Sequence, residues 1–410
     1  MFFIIIGLIV FGVCFNNIII LRLLMNRLFI ALFVNLVIPL GGMSTDIYLP
    51  SLPAMADYFG SSDTLVQITV TLFTLGLGVG QIVAGPISDA LGRKNPFLFG
   101  MLLQLTSVLL ILNTSSLTTL IVVRLFQGFG AAFMMVPVRA MLSDVFDGAA
   151  LKKQYTYITA SFALGPIVAP FIGGYLQHYI GWQANFYFVL VYLAFLTTVA
   201  LVVLKETSTT KKAFSLVHVS SSYITVLKNK LFLTGTILIS FFLGYVAIFN
   251  VVGPFVIQDI LERSAIFYGY IALLMGFAWF SGNMTSRLFF KFSRQSKSNT
   301  ALLCMLIAAV VMFSVSFSTI SLLRFIAPIF IMIFCGGFLF PIYVGECLSL
   351  FKEQAASANG LLFSSIWIVF SVFSFIAAFL KVYSLLPIAS CYLILTLMIC
   401  CWFLFVARKH

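Results

Sequence analysis

Hydrophobic runs follow one another along nearly the whole chain, and short polar breaks separate them. A bilayer core about 30 Å thick is crossed by about 20 apolar residues in a helix, and the runs are about that long. They do not alternate apolar with polar residues, as the strands of a membrane barrel do. The pattern therefore predicts an all-α membrane protein with twelve spanning helices. Their predicted bounds are 28–53, 64–85, 96–112, 117–140, 154–177, 183–204, 231–257, 265–286, 300–317, 321–345, 356–380 and 384–406.

A polar and mostly basic stretch at 205–230 divides these helices into two sets of six. We therefore predict two six-helix bundles of nearly equal length, at 28–204 and 231–406, joined by a cytoplasmic linker. Two halves of this kind around a central site are typical of transporters that work by alternating access.

Residues 1–24 contain a further hydrophobic segment outside this plan. It lacks the charged leading region and the small-residue cleavage site of a secretory signal. Two interpretations stay open: an additional membrane helix, or an upstream extension of the translated frame with the working start at Met25. We favour the extension, because Met25, Asn26 and Arg27 supply a short basic lead for the next helix.

Composition and charge agree with a membrane protein. Hydrophobic residues make up 62% of the chain and charged residues 8%, whereas a soluble domain carries about 25% charged residues. Most of the 23 Lys and Arg residues flank the predicted spans on one side, and the positive-inside rule makes that side cytoplasmic. Both ends of the twelve-helix unit are therefore expected in the cytoplasm. This placement explains the net charge of +12 better than nucleic-acid binding does.

Two charged residues lie inside predicted spans, Asp46 in the first and Arg124 in the fourth. A charge in the bilayer costs about 3 kcal/mol or more and marks a functional site by default. Both lie roughly 10 Å below the outer surface, because each is about seven residues from the end of its span. A carboxylate that alternates between a proton and a cationic partner can couple proton movement to a conformational change. The alternatives are a solvated Asp46 at the boundary and a static ion pair.

Helical spacing places Asn35, Pro39, Gly42 and Asp46 on one face of the first span. Polar, small and helix-bending residues on one face are suited to a water-lined cavity, and Tyr48 follows closely. We predict that Asn35, Gly42 and Tyr48 line this cavity.

Glu346 is a further acid, near the cytoplasmic end of the tenth span. It is either a second titratable residue of the cavity or an interfacial acid paired with Lys352. We favour the pair with Lys352.

The segment between the second and third spans contains Gly85, Asp89, Gly92, Arg93 and Lys94 in the pattern G-x-x-x-D-x-x-G-R-K. This pattern resembles the cytoplasmic-loop signature of the major facilitator superfamily. Glycines allow a tight turn, and the acid can cap a helix or pair with the arginine. The resemblance implies a cytoplasmic gate that opens and closes during transport.

Two helices carry further motifs of the same family. Arg124, Gln127 and Gly128 fall in a pattern that resembles R-x-x-Q-G-x-G, to which the family assigns proton coupling. The fifth span looks like the signature of the family's antiporters, and small residues in it let helices approach closely. The residues that carry this second likeness are Gly165, Pro166, Pro170, Gly173 and Gly174.

The segment 45–55, Thr-Asp-Ile-Tyr-Leu-Pro-Ser-Leu-Pro-Ala-Met, is similar to the Bcr/CflA-type drug:proton antiporter branch of that superfamily. Arg139 and Ala140 with Asp144, the segment 253–256 and the pair 340–341 agree with it. The resemblance covers about residues 28–406 and is densest in the first half. The loop 282–294 is only a degenerate copy of the first-half signature and lacks its acid.

The resemblance implies a major facilitator fold and proton-coupled efflux of small amphipathic or lipophilic molecules, such as drugs, across a bacterial inner membrane. The expected partners are a small-molecule substrate, protons and the lipid bilayer. Protons serve as the coupling ion, and we expect a monomer with no cofactor, no metal and no catalytic residue. Export of a natural metabolite or siderophore, and proton-coupled import, remain alternatives. A membrane-embedded enzyme is a remote one, because the chain has no GxSxG, no HExxH and no intramembrane histidine.

Overall fold

The computed structural model describes residues 27–208, 216–289, 291–351 and 354–405. The hydrophobic segment at 1–24 therefore lies outside the described residues. The described residues form α-helices and no strand. The long helices are α1 (Arg27–Asp46), α3 (Asp63–Leu91), α4 (Lys94–Asn113), α5 (Leu117–Val145), α6 (Gly148–Tyr179), α7 (Gln183–Val203), α9 (Lys230–Phe255), α10 (Ala265–Leu288), α11 (Arg294–Val315), α12 (Leu322–Ser349), α13 (Ala355–Ala378) and α14 (Leu385–Phe405), and the short ones are α2 (Leu52–Tyr58) and α8 (Leu216–Lys228).

Each of the twelve predicted spans corresponds to one long helix. Eleven stretches of the described chain are long and apolar enough to cross a membrane, and these include every long helix except α6. That helix is 32 residues long and contains the polar stretch 152–156 near its start. The all-α membrane fold is confirmed, while the spanning role of α6 rests on its packing between α1 and α10.

The first span differs from its predicted bounds of 28–53. Helix α1 ends at Asp46, and a 3₁₀ turn at Leu49–Ser51 leads into α2. Pro50 and Pro53 stand at the first turns of these two elements, where proline is tolerated because it lacks the amide hydrogen that a helix interior requires. Asp46 is therefore the last residue of α1 and does not lie in the middle of a helix.

Two helix pairs join the residues before the linker to those after it, α3 with α13 and α6 with α10. The ranges 28–204 and 231–406 are called here the first half and the second half, and their division into separate domains stays a prediction. The linker between them contains the helix α8. Its residue Tyr223 donates a hydrogen bond of 3.0 Å to the carbonyl of Ile82 in α3.

The molecule has two ends, here named after residues. The Arg93 end carries the turn between α3 and α4, and the Tyr58 end carries the turn between α2 and α3. Polar bonds between the halves lie toward the Tyr58 end. They run from Gln67 Nε2 to the carbonyl of Val251 (3.0 Å), from Gln258 Nε2 to the carbonyl of Pro50 (2.9 Å), and between the hydroxyls of Thr71 and Ser374 (2.8 Å).

Candidate functional site

Asp46 and Arg124 both lie in the interior near the Tyr58 end. Asp46 is the last residue of α1 and is 6% exposed, and Arg124 in α5 is 0% exposed. Close approach of α5 to α3 packs the helices around Arg124, since Gly128 faces the carbonyl of Phe73. A side chain at position 128 would keep these two helices apart.

Aromatic rings and hydrogen bonds hold the guanidinium of Arg124. Its carbon lies 4.3 Å from the ring centre of Tyr48 and 4.2 Å from that of Phe73, within the range of cation–π attraction. Nη1 donates to the carbonyl of Ser44 (3.0 Å) and to Oε1 of Gln127 (2.7 Å). Nε and Nη2 have no hydrogen-bond partner among the described residues. Arg124 thus keeps two donor nitrogens for another acceptor.

Asp46 is not ion-paired with Arg124. Of the residues that the structure describes, ion pairs join Arg93 to Asp89 and Asp144, and Arg294 to Glu346. The carboxylate oxygen Oδ1 of Asp46 instead accepts a hydrogen bond of 3.2 Å from Nδ2 of Asn250 in α9. The acid of the first half is therefore linked to an amide of the second half.

Asn250 was missed in the sequence, although a signal was present. It is an amide inside the hydrophobic run 231–257, and polar groups in the membrane are usually functional. Its partner is 204 positions away in the sequence. Helical periodicity describes one helix at a time and gives no such pairing.

The predicted cavity residues of α1 face other helices. Asn35 donates to the carbonyl of Ala31 (2.7 Å) and accepts from the hydroxyl of Ser161 in α6 (2.7 Å). Gly42 packs against the ring of Pro166 in α6. Tyr48 is buried, and its hydroxyl lies 3.0 Å from that of Thr69. Gly42 and Tyr48 are packed against neighbours in this conformation, and their role in a cavity stays a prediction; helical periodicity identifies a face but not the neighbour that covers it.

The antiporter-like motif of α6 is an interface between helices. Gly165 faces the carbonyl of Pro39 and Gly173 faces that of Ile47, both on the α1 side. Gly174 faces the carbonyl of Ala265 in α10. Nearby, the carbonyl of Pro170 lies against Gly269 of α10. The small residues thus let α6 approach one helix from each half.

The motif of Gly85, Asp89, Gly92, Arg93 and Lys94, called here the gating motif after its predicted role, consists of the end of one helix and the start of the next. Helix α3 extends to Leu91, so Gly85 lies inside it, and Gly92 makes the turn with φ of +94°. Arg93 Nη1 binds Oδ1 of Asp89 (2.5 Å), and its Nε binds Oδ2 of Asp144 (3.1 Å). Asp89 therefore pairs with Arg93 and ties α3 to α5 through it. Of Gly85 and Gly92, only Gly92 lies in a turn, although the sequence suggested a turn role for both glycines.

Glu206, at the start of the linker, is a second residue that sequence analysis missed. Its carboxylate accepts hydrogen bonds from the backbone amides of Arg93 (2.8 Å) and Lys94 (3.1 Å), at the first turn of α4. Partial burial raises the pKa of Glu206, but hydrogen bonds from backbone amides more than offset this effect and bring the pKa below its ordinary value. Glu206 thus attaches the linker to the gating motif as a carboxylate.

Glu346 forms an ion pair with Arg294, with Oε2 3.1 Å from Nη1. The expected partner, Lys352, lies outside the described residues. Glu346 joins α12 to α11 at the Arg93 end, and its pair with Lys352 stays a prediction.

The chain is similar to known proteins both in sequence and in fold. The sequence model of the Major Facilitator Superfamily matches residues 34–374. The xylose transporter XylE from E. coli, in a partially occluded inward open conformation, superimposes with a TM-score of 0.70 at 13% identity, over 93% of this chain and 97% of that one. At that identity the likeness concerns the fold alone.

Two curated relatives are named for drug resistance. Multidrug resistance protein D of Escherichia coli is 27% identical over 80% of this chain and 83% of its own length. A bicyclomycin resistance protein homolog of Haemophilus influenzae is 37% identical over 35% of this chain and 36% of its own length. These relatives agree with the Bcr/CflA branch that residues 45–55 resemble.

The fold and the family match define a multi-pass membrane transporter, not an enzyme. The chain belongs to the Major Facilitator Superfamily. Such a transporter implies a small-molecule substrate and a lipid bilayer around the helices.

Proposed function

We propose that this chain exports small amphipathic or lipophilic molecules, drugs among them, across a bacterial inner membrane in exchange for protons. The relatives that confer resistance to drugs support the export of drugs. The observation that carries the proposal is the hydrogen bond between Asp46 and Asn250. It places a buried acid at the contact between the halves, where a change in its charge acts on both of them.

Asp46 has two alternative partners in this scheme. A protonated Asp46 is neutral and keeps its hydrogen bond to Asn250, which helps to close the Tyr58 end. An ionised Asp46 is attracted to the cation of Arg124, and this attraction is strong in an interior of low dielectric constant. Nε and Nη2 of Arg124 are available to receive it. Loss of the proton therefore weakens the contact between the halves and favours opening of the Tyr58 end.

The orientation of the chain in the membrane is inferred from its flanking charges. Lys and Arg residues flank the spans at the Arg93 end, so this end faces the cytoplasm and the Tyr58 end faces outward. The bonds between the halves toward the Tyr58 end then describe a state that is closed to the outside. Protons are the only coupling ion in this proposal, no cofactor takes part, and one chain forms the whole pathway.

The test uses inverted membrane vesicles with an imposed pH gradient and a panel of compounds that includes bicyclomycin and chloramphenicol. We expect gradient-driven uptake by the wild type and uptake at the gradient-independent level for Asp46→Asn, because the amide cannot release a proton. Asp147→Asn is the matched control, since Asp147 is an exposed acid. It should transport like the wild type.

Three outcomes would contradict parts of the proposal. Unchanged gradient-driven uptake by Asp46→Asn would remove Asp46 as the coupling residue. Uptake by the wild type without any dependence on the gradient would remove proton exchange. Uptake of none of the drugs would leave export of a natural metabolite as the better explanation.

A further inference from the structure

Arg139 is a second arginine within the body of α5. It lies fifteen positions after Arg124, about 22 Å further along the helix axis toward the Arg93 end. Unlike Arg124, which is fully buried, Arg139 is half-buried. Its side chain is therefore accessible in part, at the end opposite to the bonds between the halves.

Both halves contribute an aromatic ring to Arg139. The guanidinium carbon lies 5.8 Å from the ring centre of Phe162 in α6 and 5.2 Å from that of Phe363 in α13. These distances are within the range of cation–π attraction. Phe162 belongs to the first half and Phe363 to the second, so Arg139 lies where the halves meet.

No carboxylate of the described residues neutralises the charge of Arg139. Within the part of the chain that the structure describes, no carboxylate lies within 4.0 Å of its guanidinium. The acid nearest in sequence, Asp144, is already bound to Arg93 and to the hydroxyl of Thr207. By contrast, Arg93 and Arg294 each have a carboxylate partner.

We propose that Arg139, Phe162 and Phe363 bind the substrate, and that the substrate is an amphipathic anion. This inference rests on the proposed function and names its substrate class. A guanidinium binds a carboxylate through two parallel hydrogen bonds, and the two rings accommodate the apolar part of the molecule. A lipophilic cation is repelled by the same charge. A ligand in this position contacts both halves, as a substrate carried by alternating access must.

The test measures binding of two dyes to the purified full-length protein in detergent. Fluorescein is anionic and rhodamine methyl ester is cationic, and they share one ring skeleton; fluorescence anisotropy gives each dissociation constant. We expect the wild type to bind fluorescein at least about tenfold more tightly, because a hydrogen-bonded ion pair contributes roughly this much. Arg139→Gln should remove the preference, and Arg139→Lys, which keeps the charge without the planar fork, should retain part of it.

Arg263→Gln is the matched control. Arg263 also lies 5.8 Å from a ring centre, that of Phe267, but it is exposed on the turn at the Tyr58 end. Its removal should leave the preference for fluorescein unchanged. If Arg139→Gln fails to fold, judged by its elution and melting temperature, Phe363→Ala replaces it and should weaken binding of fluorescein.

Equal binding of the two dyes by the wild type, absence of saturable fluorescein binding, or a preference that survives Arg139→Gln would overturn the assignment. These results are separable from failure of the proposed function, because binding in detergent involves no proton gradient. Gradient-driven export of a cationic drug would contradict the anionic substrate class and leave proton exchange intact.

Discussion

Single residues show how the interior tolerates charge. Arg124 is 0% exposed and has no carboxylate partner among the described residues. Two aromatic rings and two hydrogen bonds compensate for part of the hydration that it loses. This compensation does not need Asp46, so the acid is free to exchange partners, whereas a permanent ion pair would hold it in one state.

The two glycines of the gating motif are predicted to differ in their tolerance of a side chain. Gly92 has φ of +94°, which is costly for other residues, and its added Cβ would also meet the carboxylate of Glu206. A Cβ added at Gly85 meets no atom within 4 Å. We expect Gly92→Ala to lose about 1–3 kcal/mol of stability and Gly85→Ala to melt like the wild type. Thermal unfolding in detergent measures both, and equal melting temperatures would contradict the strained turn.

At the level of elements, the lengths of the hydrophobic runs predicted the long helices well, because the thickness of the bilayer fixes how many apolar residues a spanning helix needs. Helix breaks and side-chain partners depend on tertiary contacts, and the sequence did not predict them. Pro50 and Pro53 divide the first span into three elements, whereas the run 28–53 is continuous in the sequence. The ion pair between Glu346 and Arg294 was not predicted, because residues far apart in sequence meet only after packing, and Arg294 lies 52 positions away.

For the candidate site, the sequence likewise predicted the residues but not their contacts. Its residue types were evident from the sequence, since Asp46 and Arg124 are charges in apolar runs. Their contacts were not, because Asn250 comes from the other half. Likewise, Glu206 looked like one more charge of the linker, and only the folded chain places its carboxylate at the first turn of α4.

Glu206 gives a prediction about pH. Because the pKa of Glu206 in the folded protein is below its ordinary value, its stabilisation is full above the pKa of the unfolded chain, about 4.3, and is lost as the pH falls through the folded pKa. Glu206→Gln should therefore melt below the wild type at neutral pH. The difference should shrink as the pH falls below about 4. A constant difference at all pH values would exclude this role, and Asp147→Asn provides the exposed-acid comparison.

For the whole molecule, the described hydrogen bonds between the halves lie from the middle to the Tyr58 end. Gln67, Thr71 and Gln258 contribute there, and the hydroxyl of Ser364 donates to the carbonyl of Gly78 near the middle (2.8 Å). Alternating access requires the bonds at the Tyr58 end to break in each cycle. A lock at this position should stop transport.

Thr71 and Ser374 offer such a lock. Their hydroxyl oxygens are 2.8 Å apart, so two cysteines at these positions need only a small shift to reach the S–S length of about 2.05 Å. We expect oxidation of the double variant Thr71→Cys and Ser374→Cys to abolish transport and reduction to restore it. Each single variant controls for the native thiols. Transport that continues after complete cross-linking would mean that this contact stays closed throughout the cycle.

The contact between α6 and α10 has a mechanical consequence. Gly174, Gly269 and Gly276 let the two helices approach closely over about three turns, the last of them against Ile167. Where backbones meet at glycines, few rotamers must rearrange, so we expect the energy of this contact to change little when the helices tilt. It can act as a pivot: the halves separate at one end while the other end of the same joint stays in contact.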